Sequence, residues 1–285
     1  MNNHAVLLIS CVDQKGIVVA VTDFLHKNGG NVIDIDQHVD VDNKHFFMRV
    51  EWDLEEFNIS NDKIGEYFDT LVGKKFDISW ELYFRNKKPS LAIFVSKYSH
   101  CLFDILSRHE SGEWNVEIPL IISNHPNLSY IADKYDIRFE HLPITKQNKQ
   151  EQEARQLELL KESQIDFVVL ARYMQILSES FVENYVNRII NIHHSSLPAF
   201  IGANPYKAAF ERGVKFMGAT AHYVTSNLDQ GPIIAQDIVN ISHRDSVSDM
   251  KRKGRDIEKI VLAKAIWAHI NHQVMVHQNK TVVFE

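Results

Sequence analysis

The chain has 285 residues, 31 Lys+Arg against 37 Asp+Glu, 45% hydrophobic and 24% charged residues. That is about two domains of an ordinary globular protein, able to bury roughly 75% of its unfolded surface with no disulfide or metal staple. The formal charge of -6 weighs against a general nucleic-acid or anionic-membrane binder, and no apolar run approaches the ~18 residues of a membrane span. The apolar run 5–12 lacks a basic leader, so no signal peptide is expected. Two cysteines, Cys11 and Cys101, make no disulfide framework, so the expected compartment is a reducing cytoplasm.

In chain order, 5–12 reads as an apolar strand. Asp13-Gln14-Lys15-Gly16 is a turn, and Ile17, Val18, Val21, Phe24 and Leu25 recur at helical spacing until Asn28-Gly29-Gly30-Asn31 stops the helix. Residues 32–41 alternate, with Ile33, Ile35 and Val39 on one face and Asp34, Asp36, His38 and Asp40 on the other; a turn at Asp42-Asn43 leads into a returning strand, 45–52. Ile64, Phe68 and Leu71 mark a second helix, and 78–84 a fourth strand. This βαββαβ order is the ferredoxin-like plan, placed over residues 1–85. Residues 86–90 are polar and carry Pro89, which suits a linker. Residues 91–285 then alternate strands and helices: strands near 91–96, 116–123, 138–142, 167–171 and 189–192, helices near 101–109, 128–135, 151–163 and around Phe181 and Tyr185. That pattern predicts a Rossmann-like, mostly parallel sheet with helices on both faces. Two long strands between Lys215 and Ile241 and a helix from Val247 to about His272 complete it.

Ligands of such sheets bind at the carboxyl ends of the strands, where three polar clusters fall: Asn191-Ile192-His193-His194, Ala221-His222-Tyr223 and Leu228-Asp229-Gln230-Gly231-Pro232. On an extended backbone Asn191 and His193 share a face and His194 points away. An amide, an imidazole and a carboxylate suit attack on a carbonyl. On spacing alone a turn asparagine, a core histidine and a loop aspartate are the commoner readings.

Three longer stretches carry more. They are 191–198 (Asn-Ile-His-His-Ser-Ser-Leu-Pro), 218–225 (Gly-Ala-Thr-Ala-His-Tyr-Val-Thr) and 228–234 (Leu-Asp-Gln-Gly-Pro-Ile-Ile). Together they resemble the formyltransferase superfamily, which includes glycinamide ribonucleotide and methionyl-tRNA formyltransferases. The resemblance covers roughly 91–243 and implies 10-formyltetrahydrofolate as substrate, with Asn191, His193 and Asp229 catalytic and His222 beside them. The stretch 170–177 resembles the folate-contacting segment, implying that Met174, Gln175, Ile176 and Leu177, with Val224, Thr225 and Leu228, line the folate slot. Gln175 departs from the arginine common in the purine enzymes. Their glycine-rich phosphate loop is replaced here by Ser96-Lys97-Tyr98-Ser99-His100-Cys101, which has no glycine for close backbone approach to a phosphate. Asp13 to Val18 with Asn28 to Val32 resembles an ACT domain, a module that often binds amino acids; Asp13, Gly16, Ile17, Gly29, Gly30 and Asn31 are its candidate effector residues. An ACT unit ahead of such a domain, with residues 199–206 after the histidines, resembles the formyltetrahydrofolate deformylases. That implies water as acceptor, with formate and tetrahydrofolate as products, and a role in supplying formate for purine synthesis and balancing one-carbon folate pools.

On this reading Asn191 donates to the formyl oxygen. His193 stabilises the oxyanion and assists departure of the folate nitrogen, and Asp229 orients His193 and helps deprotonate water. The formyl group is already activated on an arylamine nitrogen, so neither a metal nor a tightly bound cofactor is expected. Cys101 begins a helix, where a thiol pKa is expected to fall. The acidic row of residues 34–40 and the basic run Lys251-Arg252-Lys253 with Arg255 are expected to be solvated faces. Strand edges in the first unit favour a homo-oligomer, a dimer or tetramer. The competing readings are a formyltransferase acting on a ribonucleotide and a non-catalytic folate or amino-acid sensor. A methionyl-tRNA enzyme is disfavoured by charge and by the few residues after the long helix.

Overall fold

The computed structural model describes residues 3–197 and 205–285 and separates into two units. One holds residues 1–88, 271–277 and 282–285, the other residues 89–270 and 278–281.

In the first unit the elements are β1 (His4–Val12), α1 (Ile17–Lys27), β2 (Asn31–Asp40), β3 (His45–Asp53), α2 (Ile64–Phe68), α3 (Lys74–Phe76) and β4 (Ser79–Phe84). The strands form an antiparallel sheet in the order β2-β3-β1-β4, the ferredoxin-like plan the pattern predicts. Leu7 and Ile9 of β1 and Met48 and Val50 of β3 share a core with Ile17, Val21, Phe24 and Leu25 of α1. Gly16 caps that helix at a φ of 95°, and the Gly30 N–H closes its other end on the Leu25 carbonyl at 2.8 Å. One expectation fails. Leu71 is 58% exposed and Val72, at 3%, takes its place. A π-helical turn, Asp69–Gly73, separates α2 from α3, and its widened spacing aligns Ile64, Phe68, Val72 and Phe76, four residues apart, on the core. On edge strand β2, Ile33 and Ile35 are exposed after a register irregularity between Val32 and Asp34. The acidic row is not wholly solvated: Asp34 pairs with the buried Arg49.

In the second unit β5 (Ser90–Val95), α4 (His100–Glu110), β6 (Glu117–Ser123), α5 (Ser129–Lys134), β7 (Arg138–His141), α6 (Lys149–Glu162), β8 (Phe167–Leu170), α7 (Glu179–Val182) and β9 (Ile189–His193) are followed by α8 (Pro205–Arg212), β10 (Phe216–Tyr223), β11 (Ile233–Asn240) and α9 (Val247–Ile270). Among the described residues seven strands form one sheet, β11-β10-β9-β8-β5-β6-β7. It is parallel from β9 to β7, with β10 and β11 antiparallel at one edge. The chain runs outward from β5 through β6 to β7, then returns to β8 on the other side of β5. The crevice at the carboxyl ends of β5 and β8 is therefore a topological switch point. Ser96 Oγ spans it, accepting from Met174 N at 3.0 Å and donating to Asn124 Oδ1 at 2.6 Å. Among the described residues no helix is long and apolar enough to cross a membrane.

A C-terminal hairpin, β12 (Val274–His277) and β13 (Lys280–Val283), has no counterpart in the sequence reading, which gives every residue after 90 to the second unit. Phe284 and Met275 pack with Val6, Leu8 and Phe47 of the first.

Candidate active site

β9 carries Asn191 and His193 with their side chains on one face, and β10 lies antiparallel to it, pairing His222 with Asn191 and Thr220 with His193. The loop after β10 brings Asp229 back to the same place, in the left-handed region at a φ of 54°. Gly231 makes that return feasible, since a Cβ there would lie 1.7 Å from the Tyr223 carbonyl oxygen.

The four side chains interlock. Asp229 Oδ2 lies 3.2 Å from His193 Nδ1 and Oδ1 lies 3.6 Å from His222 Nε2. A hydrogen bond from His193 Nδ1, and then the His222 imidazole close by, hold the Asp229 carboxyl well below the usual carboxylate range, so it stays ionised at neutral pH. The Tyr223 carbonyl, 2.9 Å from His222 Nδ1, can only accept, which places a proton on that nitrogen. In the neutral ring Nε2 then accepts from Asn191 Nδ2 at 3.2 Å, leaving the second amide N–H of Asn191 for another acceptor. His193 Nε2 is buried with no hydrogen-bond partner among the described residues. A buried imidazole nitrogen left bare costs stability unless something else occupies its position. The arrangement links an amide donor, two imidazoles and an ionised carboxylate in one contiguous set, which suits addition of a nucleophile to a carbonyl.

Of the residues expected to line the folate slot, Met174, Ile176 and Leu228 are exposed apolar side chains. Gln175, Val224 and Thr225 are half-buried. Leu177 turns inward, packing with Phe94, Tyr173 and Phe181. In the first unit Ile17 is core. The space at Gly29 is taken by the Glu56 carbonyl and that at Gly30 by Phe57 and the Leu25 carbonyl, so both glycines serve backbone packing. Asp13 donates its N–H to the Lys44 carbonyl at 2.8 Å, and exposed Asn31 opens β2. Residues 199–204 lie outside the described residues.

Three findings go beyond or against the sequence reading. Burial and the nearby Glu258 carboxylate push the Cys101 thiol up, not down; desolvation outweighs the helix terminus. His194 does not stand apart: its ring centroid is 5.2 Å from that of His193 and 5.9 Å from that of Tyr206. Glu258, buried on α9, is bound by His100 Nε2 at 2.7 Å, Tyr206 Oη at 2.6 Å and Arg172 Nη1 at 3.4 Å. His100, Cys101 and Glu258 also bring potential metal-ligand atoms within 4.8 Å of one another, but the guanidinium on Glu258 opposes a cation there. A signal for Glu258 did exist. It interrupts the apolar stripe of α9 formed by Met250, Ile257, Val261 and Leu262, and a lone carboxylate in such a stripe is buried only with partners.

A formyl transferase family model matches residues 90–266 and an ACT domain model residues 5–56. A formyltetrahydrofolate deformylase of Synechocystis sp. is 54% identical over 283 residues, covering 99% of both chains. The chain belongs to the formyltetrahydrofolate deformylase family. The crystal structure of a family member from Pseudomonas syringae pv. tomato superposes with a TM-score of 0.97 at 42% identity, covering 100% of this chain and 95% of that one. A glycinamide ribonucleotide transformylase from Symbiobacterium toebii matches at a TM-score of 0.66 and 27% identity, over 72% of this chain and 98% of its own. This chain thus shares a fold with that transformylase over 72% of its length and carries the ACT match in its first unit.

Proposed function

We infer that this chain hydrolyses 10-formyltetrahydrofolate to formate and tetrahydrofolate. The observation that carries the reading is the bare, buried Nε2 of His193, backed on its other nitrogen by an ionised Asp229 and flanked by an Asn191 amide with one N–H to spare.

In the mechanism this supports, the formyl carbonyl lies against Asn191, whose free N–H donates to the oxygen as it gains charge. Water adds to the formyl carbon. Asp229 fixes the His193 tautomer by accepting from Nδ1–H, so Nε2 takes the water proton and passes it to the departing folate nitrogen. The C–O bond forms, the C–N bond breaks, and the proton moves from water to the amine. His222 positions Asn191. Exposed Met174, Ile176 and Leu228, with Gln175, Val224 and Thr225 beside them, give the folate an apolar slot with polar edges; Leu177 supports it from the core.

The wider expectations join this reading. Formate release would feed purine synthesis and adjust one-carbon folate pools in the cytoplasm. The ACT unit would bind a small amino-acid effector near Asp13, Gly16 and Asn31, where Gly29 and Gly30 hold the backbone. Edge strand β2, with Ile33 and Ile35 exposed, would pair with a second copy in a homo-oligomer.

The test is direct. Pure protein is given 10-formyltetrahydrofolate without an acceptor and formate is measured. Catalytic release is expected. Release only when an acceptor is added would assign a transferase, and none under either condition a sensor.

A further inference from the structure

Hydrolysis and amine formylation need the same activation of the formyl group. They differ in what reaches the carbon, so an enzyme of this fold that uses water must exclude larger nucleophiles. The inference here rests on the hydrolase reading above.

One ring away from His193, across His194, stands a group of side chains bound to one carboxylate. The His194 ring lies between those of His193 and Tyr206, at 5.2 and 5.9 Å. Tyr206 on α8 donates to Glu258 Oε1 at 2.6 Å, and Arg172, just past β8, approaches the same oxygen at 3.4 Å. His100, at the start of α4, binds Oε2 at 2.7 Å. Three separate segments are thereby tied to α9 through a side chain only 1% exposed. Tyr98 caps the cluster, with the guanidinium of Arg172 5.1 Å and that of Arg255 5.8 Å from its ring centre. The helix is pared to receive Tyr206: a Cβ at Gly254 would lie 2.4 Å from its hydroxyl oxygen. Arg172 adopts a φ of 64°, a region unusual for a side-chain-bearing residue, and the contact with Glu258 gives that conformation a purpose.

Such a cluster is costly to open. The carboxylate and guanidinium are buried and compensate one another, so displacing either strands a charge. A nucleophile carrying several heavy atoms that entered through this cluster would have to displace Tyr206 or His100, whereas water is the nucleophile that asks for the least room. We propose that Tyr206, His100 and Arg172, gathered on Glu258, are the specificity-determining residues of this enzyme: they occupy the volume an amine acceptor would need and reserve the formyl carbon for water. When the volume is opened, a primary amine adds to the formyl carbon. The new C–N bond forms, the bond to the folate nitrogen breaks, and the amine's proton goes to that nitrogen through His193.

The experiment reads partition rather than rate. Full-length native protein, Tyr206→Ala, Tyr206→Phe and His100→Ala receive 10-formyltetrahydrofolate with glycinamide, and formate and N-formylglycinamide are measured in the same tube. Native protein should release formate almost alone; if it releases none, the hydrolase reading itself fails, separately from this proposal. In Tyr206→Ala the ratio of formylated amine to formate should rise at least tenfold, while Tyr206→Phe, which keeps the ring, should stay within twofold of native. Should the alanine variant fail to fold, Tyr206→Leu and His100→Ala carry the same expectation. Ratios unchanged in every folded, formate-releasing variant overturn the proposal. So does an equal rise in Tyr206→Phe, because the claim concerns volume and not the hydrogen bond.

Discussion

At the scale of single residues, the candidate site depends on a short loop as much as on the groups it carries. Asn191 and His193 are held by strand pairing. Asp229 has no strand to hold it and reaches His193 only because Gly231 lets its loop press onto the Tyr223 carbonyl. A methyl group 1.7 Å from that oxygen cannot be accommodated without moving the loop. Gly231→Ala is therefore expected to act like a displaced Asp229: a fall in kcat of ~10²-fold, from loss of a catalytic geometry that tolerates little error, with substrate affinity affected less. Steady-state kinetics on Gly231→Ala and Asp229→Ala side by side decide it, and near-native turnover in the glycine variant would show that the carboxylate is not needed where it stands. In the proposed mechanism Asn191→Ala removes one donor from the developing oxyanion, an interaction worth ~3 kcal/mol, so a similar ~10²-fold drop in kcat is expected with little change in KM.

At the scale of elements, β3 carries an unusual load for a small sheet. Arg49 and Glu51 are two apart on one face and both are buried. Burial raises the pKa of Glu51, but hydrogen bonds from Arg85 and Arg49 overcome this and bring it to about 2, from 4.5. The folded pKa is depressed, so the stabilisation is fully present above 4.5 and is lost as pH falls through about 2. The difference corresponds to about 3 kcal/mol. Glu51→Gln should lower stability by about that much at pH 7, and the gap from native should close as the buffer is taken toward pH 2; denaturant melts at several pH values measure it, and a constant gap would sink the assignment. Elements also show where the sequence is readable. The continuous apolar runs of β1, β5 and β8 and the 3.6-residue spacing of α1 stand in the sequence as they do in the fold. The helix after Ile64 reads wrongly because a π-helical turn changes its spacing to four, which moves the core position from Leu71 to Val72. Strand β2 reads as half-buried, yet both its faces are largely exposed, because alternation reports what a strand could bury and not what the chain itself supplies. If a second copy supplies it, Ile33→Glu with Ile35→Glu should yield a smaller species by light scattering while formate release by the remaining protomer persists.

At the scale of the whole chain, Asn191 and His193 are legible because they stand two apart on one strand, so their shared face follows from local spacing. The Glu258 cluster is not: its partners His100, Arg172 and Tyr206 lie far away in sequence, and only the packing of α9 on the sheet brings them together. The same holds for residues 271–277 and 282–285, whose place in the first unit depends on contacts with β1 and β3. Long-range burial also sets the response to acid. Within the second unit, burial and then Arg172 lower His194 to about 4, and burial and then Arg188 lower His269 to about 4, each from 6.5. Both are neutral in the fold at pH 7. Between pH 6.5 and 4 the unfolded chain takes up protons at these histidines that the folded chain does not, so stability falls as pH drops through that window and levels off below it. Calorimetry from pH 7.5 to 3.5 should show the second unit losing stability first across this range, before the window of Glu51 in the first unit is reached. His269→Phe is the sharper test. It removes one of the two proton-linked steps while keeping an aromatic ring against Phe167, so its melting temperature should start lower at pH 7.5, for want of the Tyr223 hydroxyl bond, yet fall less steeply than native between pH 6.5 and 4. An unchanged slope would mean that the acid response resides elsewhere than in this buried histidine.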